Sequence, residues 1–170
     1  GPTPTPNPEP EVEDIEETQT PLSEGEEVPV SGVIKNSDGT YTATIVTENK
    51  NGKATVEKIT LIANAKTKEV KVTAYEVNGK TANVPMKVVI KGKTYKVTSI
   101  GKNAFVNASK LKKIYLGTNI KKIYKGAFKG ITGKATIYVT ATKSKFNAIK
   151  KMITKSGLAK SVTIKRVKPK

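Results

Sequence analysis

Three runs of alternating apolar and polar positions, Tyr41 to Val46, Ala54 to Ile62 and Glu69 to Tyr75, open the ordered part of the chain. Each is rich in β-branched residues, and a period of two predicts half-buried strands. Asn-Lys-Asn-Gly and Asn-Ala-Lys-Thr-Lys separate them and supply the turns, so a small antiparallel sheet is expected. Val88 through Tyr95 reads as a hairpin turning around Gly92. Near the end the period changes. Between Ser144 and Ser156, Phe146, Ile149 and Ile153 fall at i, i+3 and i+7, with Thr142 or Ser144 as N-cap and Gly157 beyond the last turn. That pattern predicts an amphipathic helix.

The stretch between hairpin and helix repeats itself with a period of 23 residues. Val97-Thr-Ser-Ile100-Gly-Lys-Asn-Ala104-Phe105 aligns with Ile120-Lys-Lys-Ile123-Tyr-Lys-Gly-Ala127-Phe128. Ile114-Tyr115-Leu116 recurs as Ile137-Tyr138-Val139 after the same interval, and more loosely as Val162-Thr163-Ile164 after 25 residues. Ala82-Asn83-Val84-Pro85 reads as an earlier rung. Alternation puts Ile114, Leu116, Ile137 and Val139 inside and leaves Tyr115, Tyr138 and Thr163 facing out. So short a unit cannot cover its own apolar face. Neighbouring units must stack around Ile100, Ala104, Phe105, Ile123, Ala127 and Phe128, which predicts a short curved solenoid.

These residues resemble the BspA-type leucine-rich repeats, whose unit combines a strand, an aliphatic pair three apart and an Ala-Phe turn. The resemblance covers roughly residues 82 to 168 and is tightest from Val97 to Phe128. There are departures. The family's cysteine three residues after the Phe is replaced by Ala108 and Ile131, and its leucine six after is kept as Leu111 but replaced by Lys134, so the second unit is expected to be locally irregular. The resemblance implies a non-enzymatic module of a bacterial cell-surface or secreted protein that engages a protein or glycan partner in adhesion.

The expected fold class is therefore mainly β with short helices. It comprises a leucine-rich-repeat solenoid over residues 82–170, a β-rich N-terminal cap over 31–81, and a C-terminal capping helix followed by a strand. Two complete repeats are fewer than the three or so that a stable array needs, which is why both ends require covers. A cap continuous with the solenoid is expected over 31–81 rather than a separate domain.

Charge divides the chain at the same place. Residues 1–30 hold nine acids and no Lys or Arg, whereas the rest carries all 31 basic residues against five acids, a charge of +26 within an overall +17. The acidic segment opens on Pro-Thr-Pro-Thr-Pro-Asn-Pro-Glu-Pro and has almost no aliphatic side chains, so it reads as an extended linker. Folding back onto the basic part as an electrostatic mask is the alternative role for it. The Gly1 start reads as a cut or a cleaved tag. No stretch has the roughly 20 apolar residues of a membrane helix.

Without cysteine, histidine or tryptophan, imidazole and thiolate metal ligands and every Ser-His or Cys-His arrangement are excluded. The acids beyond residue 30, Asp38, Glu48, Glu57, Glu69 and Glu76, lie outside the clear repeats, and no Gly-rich phosphate loop appears. Asn107-Ala-Ser109 matches a glycosylation triplet of the kind that arises by chance. No catalytic residue, metal site or cofactor is expected, and the chain is expected to be monomeric. Binding remains, and the strand ladder offers the surface. Tyr115 and Tyr138 should stack in register, Lys113 and Thr136 should lie in line beside them with Ser161 next, and Thr163 and Lys165 should extend the same face. Cross-strand stacking for stability alone is the plainer role for the tyrosines. Two further readings stay open: a lysine-rich binder of anionic polymers such as glycosaminoglycan, wall teichoic acid or nucleic acid, and a passive spacer. Arg166 is the only arginine, which weighs against specific phosphate recognition.

Overall fold

A computed structural model describes residues 30–48, 51–52, 54–77 and 79–169. The chain is mainly β, 45% strand with one short helix among the described residues. In order the elements are β1 (Val30–Lys35), β2 (Tyr41–Glu48), β3 (Ala54–Asn64), β4 (Glu69–Glu76), β5 (Thr81–Asn83), β6 (Lys87–Ile90), β7 (Lys93–Ile100), β8 (Lys113–Leu116), β9 (Lys122–Ile123), β10 (Thr136–Thr140), α1 (Lys143–Lys155) and β11 (Thr163–Val167). The acidic segment lies outside the described residues except for Val30, which starts β1 rather than ending a linker.

β1 to β4 form an antiparallel meander, in which β2, β3 and β4 are the three alternating runs and β1 is a strand that no run predicts. Asp38 Oδ1 fixes the first turn by accepting from both the Thr40 amide and hydroxyl, at 3.0 and 2.7 Å. At the β3–β4 turn Asn64 Oδ1 accepts from the amides of Lys66 and Thr67, the side-chain mimicry that makes Asn a turn residue. β4 then pairs in parallel with β7, and β7 with β6 in a hairpin. Lys91 and Gly92, with φ of 50° and 79°, form its two-residue turn. Positive φ at both central positions matches the twist of the flanking strands. The end strands β1 and β6 come within 8 Å between Cα atoms, so this sheet curls around Ala43, Ile45, Ile59, Leu61, Val72 and Val97.

From β4 onward the chain advances by stacking. One parallel ladder runs β4–β7–β9 and aligns Val72 with Ile100 and Ile100 with Ile123. A second runs β5–β8–β10–β11 and aligns Ala82, Ile114, Ile137 and Ile164. Phe105 stacks on Phe128 with centroids 5.5 Å apart, and on its other side Tyr75 stacks on Phe105 at 5.4 Å. The backbone repeats with the rings: the Tyr75 amide donates to Ala104 O and the Phe105 amide to Ala127 O. Tyr75 is thus the geometric counterpart of Phe105, although the exposed Ala74 before it does not match the buried Ala104 and Ala127. It is hidden in the sequence because thirty residues separate Tyr75 from Phe105, against twenty-three for the next step. The β6–β7 hairpin lengthens that interval.

Two expectations need correction. Ile137 pairs with Ile164 and Tyr138 with Lys165, so the last rung follows after 27 residues and not 25. Val162 occupies the place of Ala135 before its strand: the amide of Thr163 donates to Ala135 O as that of Thr136 donates to Lys112 O. Both preceding residues are buried, which makes Val162 look like strand core in the sequence. Ser161 consequently does not continue the line of Lys113 and Thr136, and Thr163 takes that position. The helix starts one residue before Ser144, with Thr142 as N-cap, and buries Ile149 and Ile153. It packs against β9, β10 and β11.

Candidate functional site

The outward face of the second sheet carries two rows set by strand register. In one, Thr81, Lys113, Thr136 and Thr163 are successive partners; in the other, Asn83, Tyr115, Tyr138 and Lys165. All six residues expected to form a binding face are therefore on one surface, in adjacent positions. Parallel pairing keeps equivalent side chains about 4.8 Å apart. The Tyr115 and Tyr138 rings match that spacing, with centroids 4.8 Å apart and planes 17° from parallel. Each ring is half-buried by its neighbours, while Thr163 and Lys165 are exposed. Such a surface offers flat aromatic area flanked by hydroxyls and ammonium groups.

Thr81 and Asn83 are the two members of this face that the sequence did not reveal. At β5 each row ends on a buried polar atom, Thr81 Oγ1 and Asn83 Oδ1, with no hydrogen-bond partner. The Asn83 backbone is better served. The Tyr75 hydroxyl accepts from its amide at 3.0 Å and lies 3.2 Å from its carbonyl, while donating to Glu57 Oε1 at 2.8 Å. A phenol and a buried carboxylate thus close the edge of the parallel sheet. Burial, together with the charge of Glu57, raises the Tyr75 pKa well above the ordinary tyrosine value.

A second concentration of polar side chains lies away from that face. A cleft of about 450 Å³ is lined by Lys68, Lys96, Lys121 and Lys145, with Glu69, Thr98, Thr118 and Asn119 among the rest. Glu69 Oε2 accepts from Lys121 Nζ at 2.6 Å. That bond, foremost, holds the Glu69 carboxyl below its usual pKa, with a smaller contribution from the Thr98 hydroxyl. Lys145 reaches the cleft from the first turn of α1, which carries Lys143 and Lys145 and no acid. Cations there oppose the helix dipole, an arrangement that costs about 0.3–1 kcal/mol per charge when exposed. Outside the cleft lining, Tyr124 is flanked by the ammonium groups of Lys71 and Lys122, at 4.6 and 4.4 Å from its ring centre. Only the excess of lysine signalled these places in the sequence, because the residues come together from four separate segments.

Among the described residues no group of three or more Asp or Glu side chains gathers as a metal site, and no helix is long and apolar enough to cross a membrane. Of the acids, Asp38 fixes a turn, Glu57 holds Tyr75 and Glu69 holds Lys121.

No family model matches the chain, and none of the curated proteins matches it. Two solved structures are similar. One is a leucine-rich repeat protein from Bacteroides ovatus, 27% identical over 51% of this chain and 22% of that one, with a TM-score of 0.42. The other is a leucine rich cell surface protein from Faecalibacterium prausnitzii, 14% identical over 74% of this chain and 32% of that one, with a TM-score of 0.43. This chain spans under a third of the length of either. Both are bacterial leucine-rich proteins, the class that the residues from Val97 to Phe128 resemble.

Proposed function

We propose that this chain is a non-enzymatic binding module of a bacterial surface or secreted protein, a short BspA-type solenoid that contacts a protein or glycan partner through its strand face. In this reading residues 82–170 form the solenoid, with the meander over 31–81 as its N-terminal cap and α1 with β11 as its C-terminal one. The acidic segment serves as a spacer.

The observation that carries the reading is the in-register stack of Tyr115 on Tyr138, continued by Lys165, on strands whose backbone fixes every outward side chain. Tyrosines held this way supply contact area without the entropy loss of ordering flexible side chains. Area limits the affinity. Four short rungs at about 4.8 Å spacing present only a few hundred square ångströms, whereas a stable protein interface needs roughly 800 Å² per partner. One copy should bind weakly, and strong attachment should require several copies presented together.

The test compares attachment of beads bearing many copies of the chain with attachment of the Tyr115→Ser/Tyr138→Ser variant, on immobilised host matrix proteins and mucin glycans. Loss of attachment by a variant that still melts cooperatively supports the reading. Unchanged attachment by the folded variant removes the strand face from consideration.

A further inference from the structure

We propose that the lysine-lined cleft between β4, β7, the Thr118–Lys121 segment and the start of α1 is a binding site for an anionic glycan, a sugar chain bearing carboxylate or sulfate groups. The site is distinct from the strand face, and none of Tyr115, Tyr138, Lys113, Thr136, Thr163 or Lys165 lines it.

The first argument is charge in a confined space. Four lysines against one glutamate leave three positive charges around a cleft of about 450 Å³. That is within the range of small-ligand sites, roughly 300–1,000 Å³. Like charges gathered this way repel one another, and a concave wall focuses their field on whatever enters. Lys145 adds to this from a helical turn whose own dipole is positive, so the local electrostatics are unfavourable until an anion arrives. Local conflicts of this kind concentrate at functional positions.

The second argument is how the charges are held. Glu69 draws Lys121 to 2.6 Å, which fixes one ammonium at the cleft instead of leaving it to wander in solvent. Lys68 sits at a positive φ of 58° and its Nζ donates to Ala65 O at 2.5 Å, so the β3–β4 turn restrains it too. The remaining polar lining is neutral: Thr67, Thr94 and Thr118 bring hydroxyl groups of the kind that pair with sugar hydroxyls, while the buried Thr98 bonds Glu69 and Asn119 Nδ2 donates to Met86 O.

The third argument separates a glycan from a nucleic acid. The cleft has no exposed aromatic lining on which a base could stack. The ring nearest Lys68 is Tyr95, with the ammonium 5.8 Å from its centre, and that ring is buried. All four cations are lysines, which act as point charges rather than as the planar fork suited to phosphate.

The test is titration of the chain at low and physiological salt with three probes, heparin hexasaccharide, its desulfated counterpart and hyaluronan hexasaccharide, beside a DNA duplex of matched charge. Lys96→Gln/Lys121→Gln/Lys145→Gln should weaken glycan binding at least about tenfold, whereas Lys110→Gln/Lys151→Gln/Lys160→Gln, three exposed lysines elsewhere, should change it less than about twofold. Amide NMR shifts of Thr98, Thr118 and Asn119 in the unaltered chain should move on titration, a readout that holds even if a variant folds poorly. Binding of the desulfated and hyaluronan probes assigns recognition to carboxylates; binding of heparin alone assigns it to sulfates. Equal losses in the two triple variants, shifts centred elsewhere, DNA binding as tight as heparin, or no binding of any glycan at low salt overturns the proposal.

Discussion

The Tyr75 hydroxyl donates to Glu57 Oε1 across 2.8 Å, and its ring stacks on Phe105. One side chain therefore joins the buried carboxylate of β3, the aromatic column and the free edge of β5. Tyr75→Phe keeps the ring in the column and removes only the hydroxyl. It leaves Glu57 and the Asn83 amide each one partner poorer inside the fold. Hydrogen bonds to charged groups contribute about 1.5–3 kcal/mol, so a loss of that order in urea unfolding is expected. Glu57→Gln retains an acceptor and should cost less. Combining the two substitutions in a double-mutant cycle measures their coupling, and additive losses would show that the pair does not act as a unit.

Alkaline pH reports on the same group. The folded-state pKa of Tyr75 is raised by burial first and by Glu57 second, while in the unfolded chain it titrates near about 10. Below that value the proton is bound in both states and the group contributes its full stability. Above it the unfolded state releases the proton and the folded state keeps it, so stability falls as pH rises, by up to about 1.4 kcal/mol per pH unit. Unfolding of the unaltered chain and of Tyr75→Phe, followed from pH 8 to 11, should show a steeper decline in the former. Parallel curves would mean that Tyr75 titrates normally.

The same residue shows where the sequence was legible and where it was not. Two units separated by a constant interval revealed Phe105, Phe128, β8 and β10, because identical offsets force identical environments. The Tyr75 amide bonds the following unit as that of Phe105 does, yet its interval is stretched by the β6–β7 hairpin, and a phenol stands where the other units have phenyl. The β11 register was misplaced for a similar reason. α1 and the turn after it replace a regular connection, and buried Val162 imitates a strand residue while sitting in the position of Ala135. Parity along a strand survived that two-residue error, so Thr163 and Lys165 still face outward. The lysine cleft had no such pattern. Its members are joined only by the way β4, β7 and α1 meet.

Gly130 tests how tightly the units approach each other. Its φ is +106°, and a β-carbon there would lie 2.3 Å from Val106 O and 2.7 Å from Phe105 O. These are backbone atoms of the preceding unit, which cannot swing aside as a side chain would. Gly130→Ala combines an unfavourable dihedral, about 1–3 kcal/mol, with that collision, and should lower stability by at least the upper part of this range. Gly92→Ala is the control: its φ of +79° is also positive, but nothing lies within 4 Å of the added atom. Equal losses for the two substitutions would show that Val106 and Gly130 are not in contact.

Thr81 makes the opposite prediction, a gain. Its hydroxyl oxygen is buried at the β5 end of the outward row without a hydrogen-bond partner. Leaving such a group unsatisfied costs roughly 1–3 kcal/mol by mutational measures. Valine has the same branched shape and suits a strand equally well, so Thr81→Val should remove the penalty without opening a cavity, and raise stability by about 1 kcal/mol. Thr136→Val, in the same row one strand beyond Lys113 and without a buried unpaired oxygen, should stay within about 0.5 kcal/mol of the unaltered chain. Both are read from urea midpoints at constant slope. Destabilisation by Thr81→Val would reveal that the hydroxyl has a partner in solution, and would turn attention to what binds at the end of that row.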